Sequence, residues 1–179
     1  KGLAEFVAGA LPAIVAARPD TLLLVIGGEA ADALHGASGN EQARIEAVAR
    51  EAGVAGALRF LGRCDEATLF AAYQAADCHV FPVLDTPGDV EGFGMVALES
   101  AAHGLPTVAF AVGGIPDAVD PARSGALLPA GDYQGFAREV LRFLQPGARA
   151  GFAEASRAFA AGMEWARFGE RLRERIRQP

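Results

Sequence analysis

Two carboxylates, Glu91 and Glu99, stand at the ends of the segment EGFGMVALE, with Gly92 and Gly94 between them. Glycines at those positions let a backbone approach a ligand with no side chain in the way. The apolar spacing of 94–103 predicts a helix. The amides of Phe93, Gly94, Met95 and Val96 then fall at its N-terminus, where unpaired donors and the helix dipole suit a phosphate. Glu99, about one turn further on, offers a carboxylate able to accept two hydrogen bonds from a vicinal diol such as that of a ribose. Glu91, on the preceding loop, would face hydroxyls at the other end of the ligand. A diol, phosphates and a hydroxyl-rich group outline a nucleotide-sugar. The same residues also read as a loop leading into a helix, with one surface and one partly buried carboxylate. Spacing alone does not separate the two readings.

Other residues capable of chemistry make weaker patterns. Gly27-Gly28-Glu29 invites a dinucleotide reading, but the third glycine of G-x-G-x-x-G would fall near position 32, which is Asp32. A turn at the end of a strand explains the pair better. His35, His79 and His103 show no ligand spacing, so core or surface histidines are expected and no metal. Asp85 and Asp89 lie in a Pro/Gly-rich loop, where such residues form turns. Gly113-Gly114 serves either a ligand approach or the start of a helix. Ser100, Ser124 and Ser156 lack the G-x-S-x-G setting of a nucleophile. Cys78 reads as core filler, while Cys64 follows a predicted strand.

These groups must be held by the rest of the chain. It has 179 residues, 51% of them apolar and 21% charged, enough for one domain with a sizeable core. Sixteen basic against 22 acidic residues give a net charge of −6, which argues against nucleic acid as a partner. Two cysteines make no disulfide framework, and no apolar run approaches the roughly 18 residues of a membrane span; a reduced, cytoplasmic setting is expected. The start at Lys1, directly ahead of a helix, reads as a piece of something longer. Strands are predicted at 22–26, 57–61, 78–81, 106–110 and 126–128. Helices are predicted at 3–17, 41–52, 66–76 (capped by Asp65), 94–103, 115–119, 134–144, 149–160 and 164–177. Strands alternating with helices make βα units and a mostly parallel sheet. Ligands then bind beyond the carboxyl ends of the strands. The last predicted helix carries Trp165, Phe168, Leu172 and Ile176 as an apolar stripe among five arginines. That stripe must pack on something, a further domain first and an anionic membrane surface second.

Glu91 to Glu99 matches the E-x7-E pattern of the group-1 (family 4) retaining glycosyltransferases of the two-domain GT-B fold. The resemblance runs along essentially the whole chain: RFLGR at 59–63, LFAAYQAADCHVFP at 69–82, ALESAAHGLPTVAFAVGGIPDAV at 97–119 and SGALLPAGD at 124–132. Lys1-Gly2 resembles the end of the family's phosphate-binding segment. The match is to the C-terminal, donor-binding half, so the resemblance implies a Rossmann-like three-layer αβα sandwich spanning 1–179. The acceptor domain, and an Arg a few residues upstream of Lys1, fall outside this sequence.

The resemblance implies a retaining transfer from a nucleoside-diphosphate sugar to a hydroxyl, with no metal cofactor. Glu91 would contact the donor sugar, the amides around Phe93, Gly94, Met95 and Val96 the sugar and distal phosphate, and Glu99 the ribose. Lys1 would neutralise charge on the leaving diphosphate, while Arg63 and Cys64 would frame the base. The partners implied are the donor and the protein's own N-terminal domain, with which the last helix makes contact. The alternatives are half of a sugar-nucleotide 2-epimerase of the same architecture, a non-catalytic nucleotide-sugar-binding module, and an interaction module that binds no nucleotide. Acceptor-free turnover separates the first from a transferase, and nucleotide binding separates the last two.

Overall fold

The computed structural model describes residues 2–28, 41–85, 90–164, 169, 173, 174 and 176. The stretch 3–17, whose apolar spacing predicts one helix, forms two: α1 (Leu3–Gly9) and α2 (Leu11–Ala17). Pro12 is the reason. It has no N–H for the carbonyl four residues back and its ring crowds that carbonyl, so the helix restarts and Pro12 falls in the new first turn. The apolar stripe survives the break, with Phe6, Val7, Ala10, Leu11 and Ile14 all buried.

The remaining elements alternate as expected. They are β1 (Leu23–Ile26), α3 (Glu41–Glu51), β2 (Leu58–Gly62), α4 (Glu66–Ala75), β3 (His79–Phe81), α5 (Met95–Ala102), β4 (Thr107–Phe110), α6 (Ile115–Ala118), β5 (Gly125–Leu128), α7 (Tyr133–Phe143) and α8 (Ala148–Gly162). All strand pairs among the described residues are parallel, with Leu23 opposite Leu58, His79 opposite Thr107, and Thr107 opposite Gly125. They fall into two ladders, β2–β1 and β3–β4–β5. β4 is buried along its whole length, as a strand covered on both faces must be.

Helices α1, α2, α3 and α7 pack on one another, and α5 packs on α8. The main core is tied by aromatic edges: Phe136 lies 5.2 Å from Phe6 and 5.0 Å from Phe110, centroid to centroid, at steep ring angles. A smaller cluster of Ala101, Phe159 and Ala160 joins α5 to α8. The result is the Rossmann-like α/β sandwich that the sequence predicts. Most of the predicted closing helix, including Trp165, Phe168 and Leu172, lies outside the described residues. Gly169, Arg173, Glu174 and Ile176 are helical. No helix among the described residues is long and apolar enough to cross a membrane.

Two helices begin on an aspartate cap. Asp65 Oδ1 accepts the Thr68 N–H at 2.8 Å, and Asp132 Oδ1 accepts the Gly135 N–H at 2.8 Å. The caps are alike, but the helices are not: α7 buries Phe136, Ala137, Val140 and Phe143, whereas α4 has no buried residue. Asp132→Ala should therefore lower global stability by about 1 kcal/mol in urea unfolding. Asp65→Ala should change it less and instead speed hydrogen exchange within α4.

Candidate functional site

The loops after β3 and β4 meet at the carboxyl edge of the larger ladder. Gly113 and Gly114, between β4 and α6, run against the backbone of Glu91 to Phe93. The Gly114 N–H donates to the Glu91 carbonyl at 3.0 Å. A Cβ on Gly114 would overlap the Gly92 carbonyl oxygen, and one on Gly113, whose φ is +52°, would overlap that of Glu91. Neither position has room for a side chain. The glycine pair is therefore what seats the loop carrying Glu91 and aims the start of α5.

Gly94 and Gly92 play different parts. Gly94 is buried at φ +84°, and a Cβ there would come within 2.9 Å of the Phe81 ring, so its freedom serves the turn into α5. Gly92 has no atom within 4 Å of the place its Cβ would take. Of the two it is the one beside open space. Phe93 is half-buried against the core. Glu91 Oε1 accepts the Gly94 N–H at 3.2 Å, so the carboxylate already caps the helix start. Met95 and Val96 open α5, where an N–H has no carbonyl four residues back within the helix, and both side chains are exposed.

Glu99 is exposed on α5, and its Oε2 accepts a hydrogen bond from the Tyr73 hydroxyl at 3.3 Å. Burial, and after it the Glu99 charge, pushes the Tyr73 phenol up to about 12. The Tyr73 ring stacks on His103 at 4.8 Å, Phe70 meets the same imidazole edge-on at 4.9 Å, and Gln74 Nε2 lies 3.3 Å from His103 Nδ1. Through His103, α4 is joined to the end of α5.

A cavity of about 900 Å³ lies between the two ladders. Its end at the carboxyl edge of the strands is lined by Gly27, Gly28, Arg63, Cys64, Tyr73, Val96 and Glu99. The Arg63 stem crosses Gly28, where a Cβ would stand 2.9 Å from Arg63 Cγ. The structure thus brings Arg63, Cys64, Val96 and Glu99 to one wall, which Glu91, Phe93, Gly94 and Met95 do not line; Glu91 and Phe93 lie against the Gly113–Gly114 turn. Lys1 lies outside the described residues; Gly2, next to it, abuts the Pro82 carbonyl just beyond β3.

His79 and the three serines have structural partners. His79 Nδ1 pairs with Thr107 Oγ1 at 3.1 Å, and desolvation pushes the imidazole down to about 4. Burial pushes the Cys78 thiol up to about 12. Ser100 and Ser156 donate to the carbonyls of Leu105 and Arg123, each at 3.0 Å, and Ser124 Oγ accepts the Asp120 N–H at 2.8 Å. Asp85 is exposed, and Asp89 lies outside the described residues. Among the described residues, no three His, Cys, Asp or Glu side chains converge as metal ligands. Sequence reasoning missed Tyr73. It stands 26 residues from Glu99 in a run of alanines, and no local pattern links the two.

Residues 1–146 match the family model described as glycosyl transferases, group 1. The chain is 34% identical over 167 residues to a GDP-mannose-dependent monoacylated alpha-(1-6)-phosphatidylinositol monomannoside mannosyltransferase of Corynebacterium glutamicum. That alignment covers 91% of this chain and 40% of the relative, so the chain spans well under half of the relative's length. Among solved structures, sucrose-phosphate synthase from Thermosynechococcus elongatus superposes with a TM-score of 0.75 at 30% identity, over 99% of this chain and 42% of that one. Anabaena Alr3699/HepE in complex with UDP gives a TM-score of 0.73 at 18% identity, over 94% of this chain and 45% of that one, a likeness of fold.

The two kinds of glycine at this edge should respond oppositely to a methyl group. Gly114→Ala should cost more than about 2 kcal/mol in urea unfolding, because the Cβ meets backbone that cannot yield. Gly92→Ala should change stability by less than about 0.5 kcal/mol, as a substitution into open space does.

Proposed function

This chain belongs to the group 1 glycosyl transferases, and from that premise we propose that it is the donor-binding half of a transferase that moves a sugar from a nucleoside-diphosphate sugar to a hydroxyl. The observation that carries the reading is the arrangement around α5. An exposed carboxylate, Glu99, lies one turn along the helix from the start where Met95 and Val96 place their amides. Diphosphate oxygens suit those donors, and the ribose diol suits Glu99. Gly92, with open space where a side chain would be, leaves room for the sugar. The relative's name specifies GDP-mannose, and a fold neighbour was solved with UDP. Both are diphosphate nucleotides, and the shared features are those the α5 region addresses.

In this reading the bond between the anomeric carbon and the diphosphate breaks, and the acceptor oxygen bonds to that carbon on the same face, with retention. The chain's own part is positioning and charge stabilisation. The amides at the start of α5 and Lys1 take up negative charge as the diphosphate leaves, without a metal. Glu91 orients the sugar hydroxyls, with its second oxygen available beside the one that holds Gly94. Arg63 and Cys64 frame the base beside Gly28. Tyr73 fixes the Glu99 carboxylate. Acceptor binding falls to the protein's N-terminal domain.

The isolated chain should bind UDP or GDP in the micromolar-to-millimolar range and transfer nothing. Glu99→Ala should weaken the nucleotide by tenfold or more, or about 1.4 kcal/mol. The 2′-deoxy nucleotide should bind the unsubstituted protein more weakly, yet bind the variant with little further loss, because a direct contact makes the two changes non-additive. Calorimetry on the four combinations decides it. Additive losses would remove Glu99 from the ribose, and no nucleotide binding at millimolar concentration would end the donor-site reading for this chain.

A further inference from the structure

Three side chains of α4 meet one side chain at the end of α5. Phe70, Tyr73 and Gln74 are spaced by three and four residues, so they share a face of their helix. All three converge on His103, the residue that closes α5. The Tyr73 ring lies nearly parallel to the imidazole, with 4.8 Å between centroids and 12° between planes. Phe70 meets the imidazole edge-on at 4.9 Å, and Gln74 Nε2 lies 3.3 Å from its Nδ1. Ring pairs in these two geometries attract beyond the area that they bury. Tyr73 and Glu99 line the mouth of the cavity, but His103 does not.

The two sides of this contact are held with different firmness. On the His103 side the backbone is tied into the core. The His103 N–H donates to the Ser100 carbonyl at 3.0 Å, and after the turn at Gly104 the Leu105 N–H returns to the same carbonyl at 3.0 Å. Ser100 Oγ closes the turn by donating to the Leu105 carbonyl. Ser100, Ala101 and Leu105 are buried, and α8 lies against the turn, where a Cβ on Gly104 would stand 3.1 Å from that of Ala153. On the other side, α4 buries no residue. Arg149 of α8 donates to the Gln74 and Ala76 carbonyls and so holds the end of that helix. A bond to terminal carbonyls does not set the side-chain torsions of Tyr73. The fixed imidazole face does.

We propose that His103 is a positioning residue for nucleotide binding: its ring sets the Tyr73 ring, and Tyr73 orients the Glu99 carboxylate. This role rests on the reading of Glu99 as the ribose partner. Glu99 is exposed, and a glutamate on a helix surface samples several rotamers. The Tyr73 hydroxyl, donating to Oε2 at 3.3 Å, selects among them and leaves Oε1 for a ribose hydroxyl. A carboxylate oriented in advance spares the nucleotide part of that ordering cost. The flat ring is the working part of His103. Its hydrogen-bond partner Gln74 is exposed, so water can take that place.

Calorimetry with UDP or GDP, whichever binds more tightly, and with its 2′-deoxy form tests the role. His103→Ala should weaken the ribonucleotide about three- to fivefold and the 2′-deoxy form much less. His103→Phe keeps a flat ring and should stay within about twofold of the unsubstituted protein. Tyr73→Phe removes one oxygen and should reproduce the selective loss, which keeps the test open if the alanine variant is unstable. In the Tyr73→Phe protein, His103→Ala should have no further effect, because the two residues act in series. A ligand-free readout runs beside these. The carboxyl carbon resonance of Glu99 should move on His103→Ala in the direction that Tyr73→Phe moves it, and stay in place on His103→Phe. Equal losses for the two nucleotides would make His103 a structural residue only and overturn the proposal. So would an undiminished loss in the Tyr73→Phe protein, a failure of phenylalanine to rescue, or a Glu99 resonance that ignores His103. If Glu99→Ala weakens the nucleotide and neither His103→Ala nor Tyr73→Phe does, this role alone falls. If Glu99→Ala changes nothing, the donor-site reading falls and this role with it.

Discussion

Backbone touches backbone where Gly114 lies on the loop of Glu91 to Phe93, and the geometry of the site follows from that contact. The Gly114 N–H holds the Glu91 carbonyl, and neither Gly113 nor Gly114 has space for a Cβ. The contact links the loop to the turn that follows β4, the most deeply buried strand. From there the chain turns through Gly94 into α5, with the Glu91 carboxylate capping the turn. The direction of α5 then fixes where the amides of Met95 and Val96 open and where Glu99 emerges.

Order is unevenly distributed around this edge. On one side β4, α6 and α7 supply a packed core of Phe110, Ile115 and Phe136. On the other, α4 lies over the gap between the ladders without a buried residue, yet it carries Tyr73, which holds Glu99. His103 bridges the difference, stacking on Tyr73 from the end of α5. Glu99 is held from a helix without a buried residue, whereas Glu91, on the preceding loop, caps the start of α5. Glu99 and Glu91 stand in these two contrasting settings.

Much of the fold was legible because each βα unit is punctuated locally. Apolar runs such as 22–26 end in glycine or proline, and Asp65 announces its helix. The break between α1 and α2 was also written in the chain, at Pro12, but the apolar stripe running through it masks the signal. What could not be read is non-local. Tyr73 reaches Glu99 only after α4 crosses the sheet, and the docking of Gly113–Gly114 on Glu91 needs two loops brought together by β3 and β4. The division of the strands into two ladders is likewise invisible in the sequence, because each strand taken alone looks complete.

The central claim is that the start of α5, seated by Gly113–Gly114, is where a nucleoside diphosphate meets this chain. Amide chemical shifts followed by NMR during titration with UDP and GDP test it most directly. The account predicts saturable shifts that are largest at Met95 and Val96, with smaller ones at Gly28 and Tyr73 and none along α7. Saturable shifts that leave Met95 and Val96 still while moving another surface would contradict it.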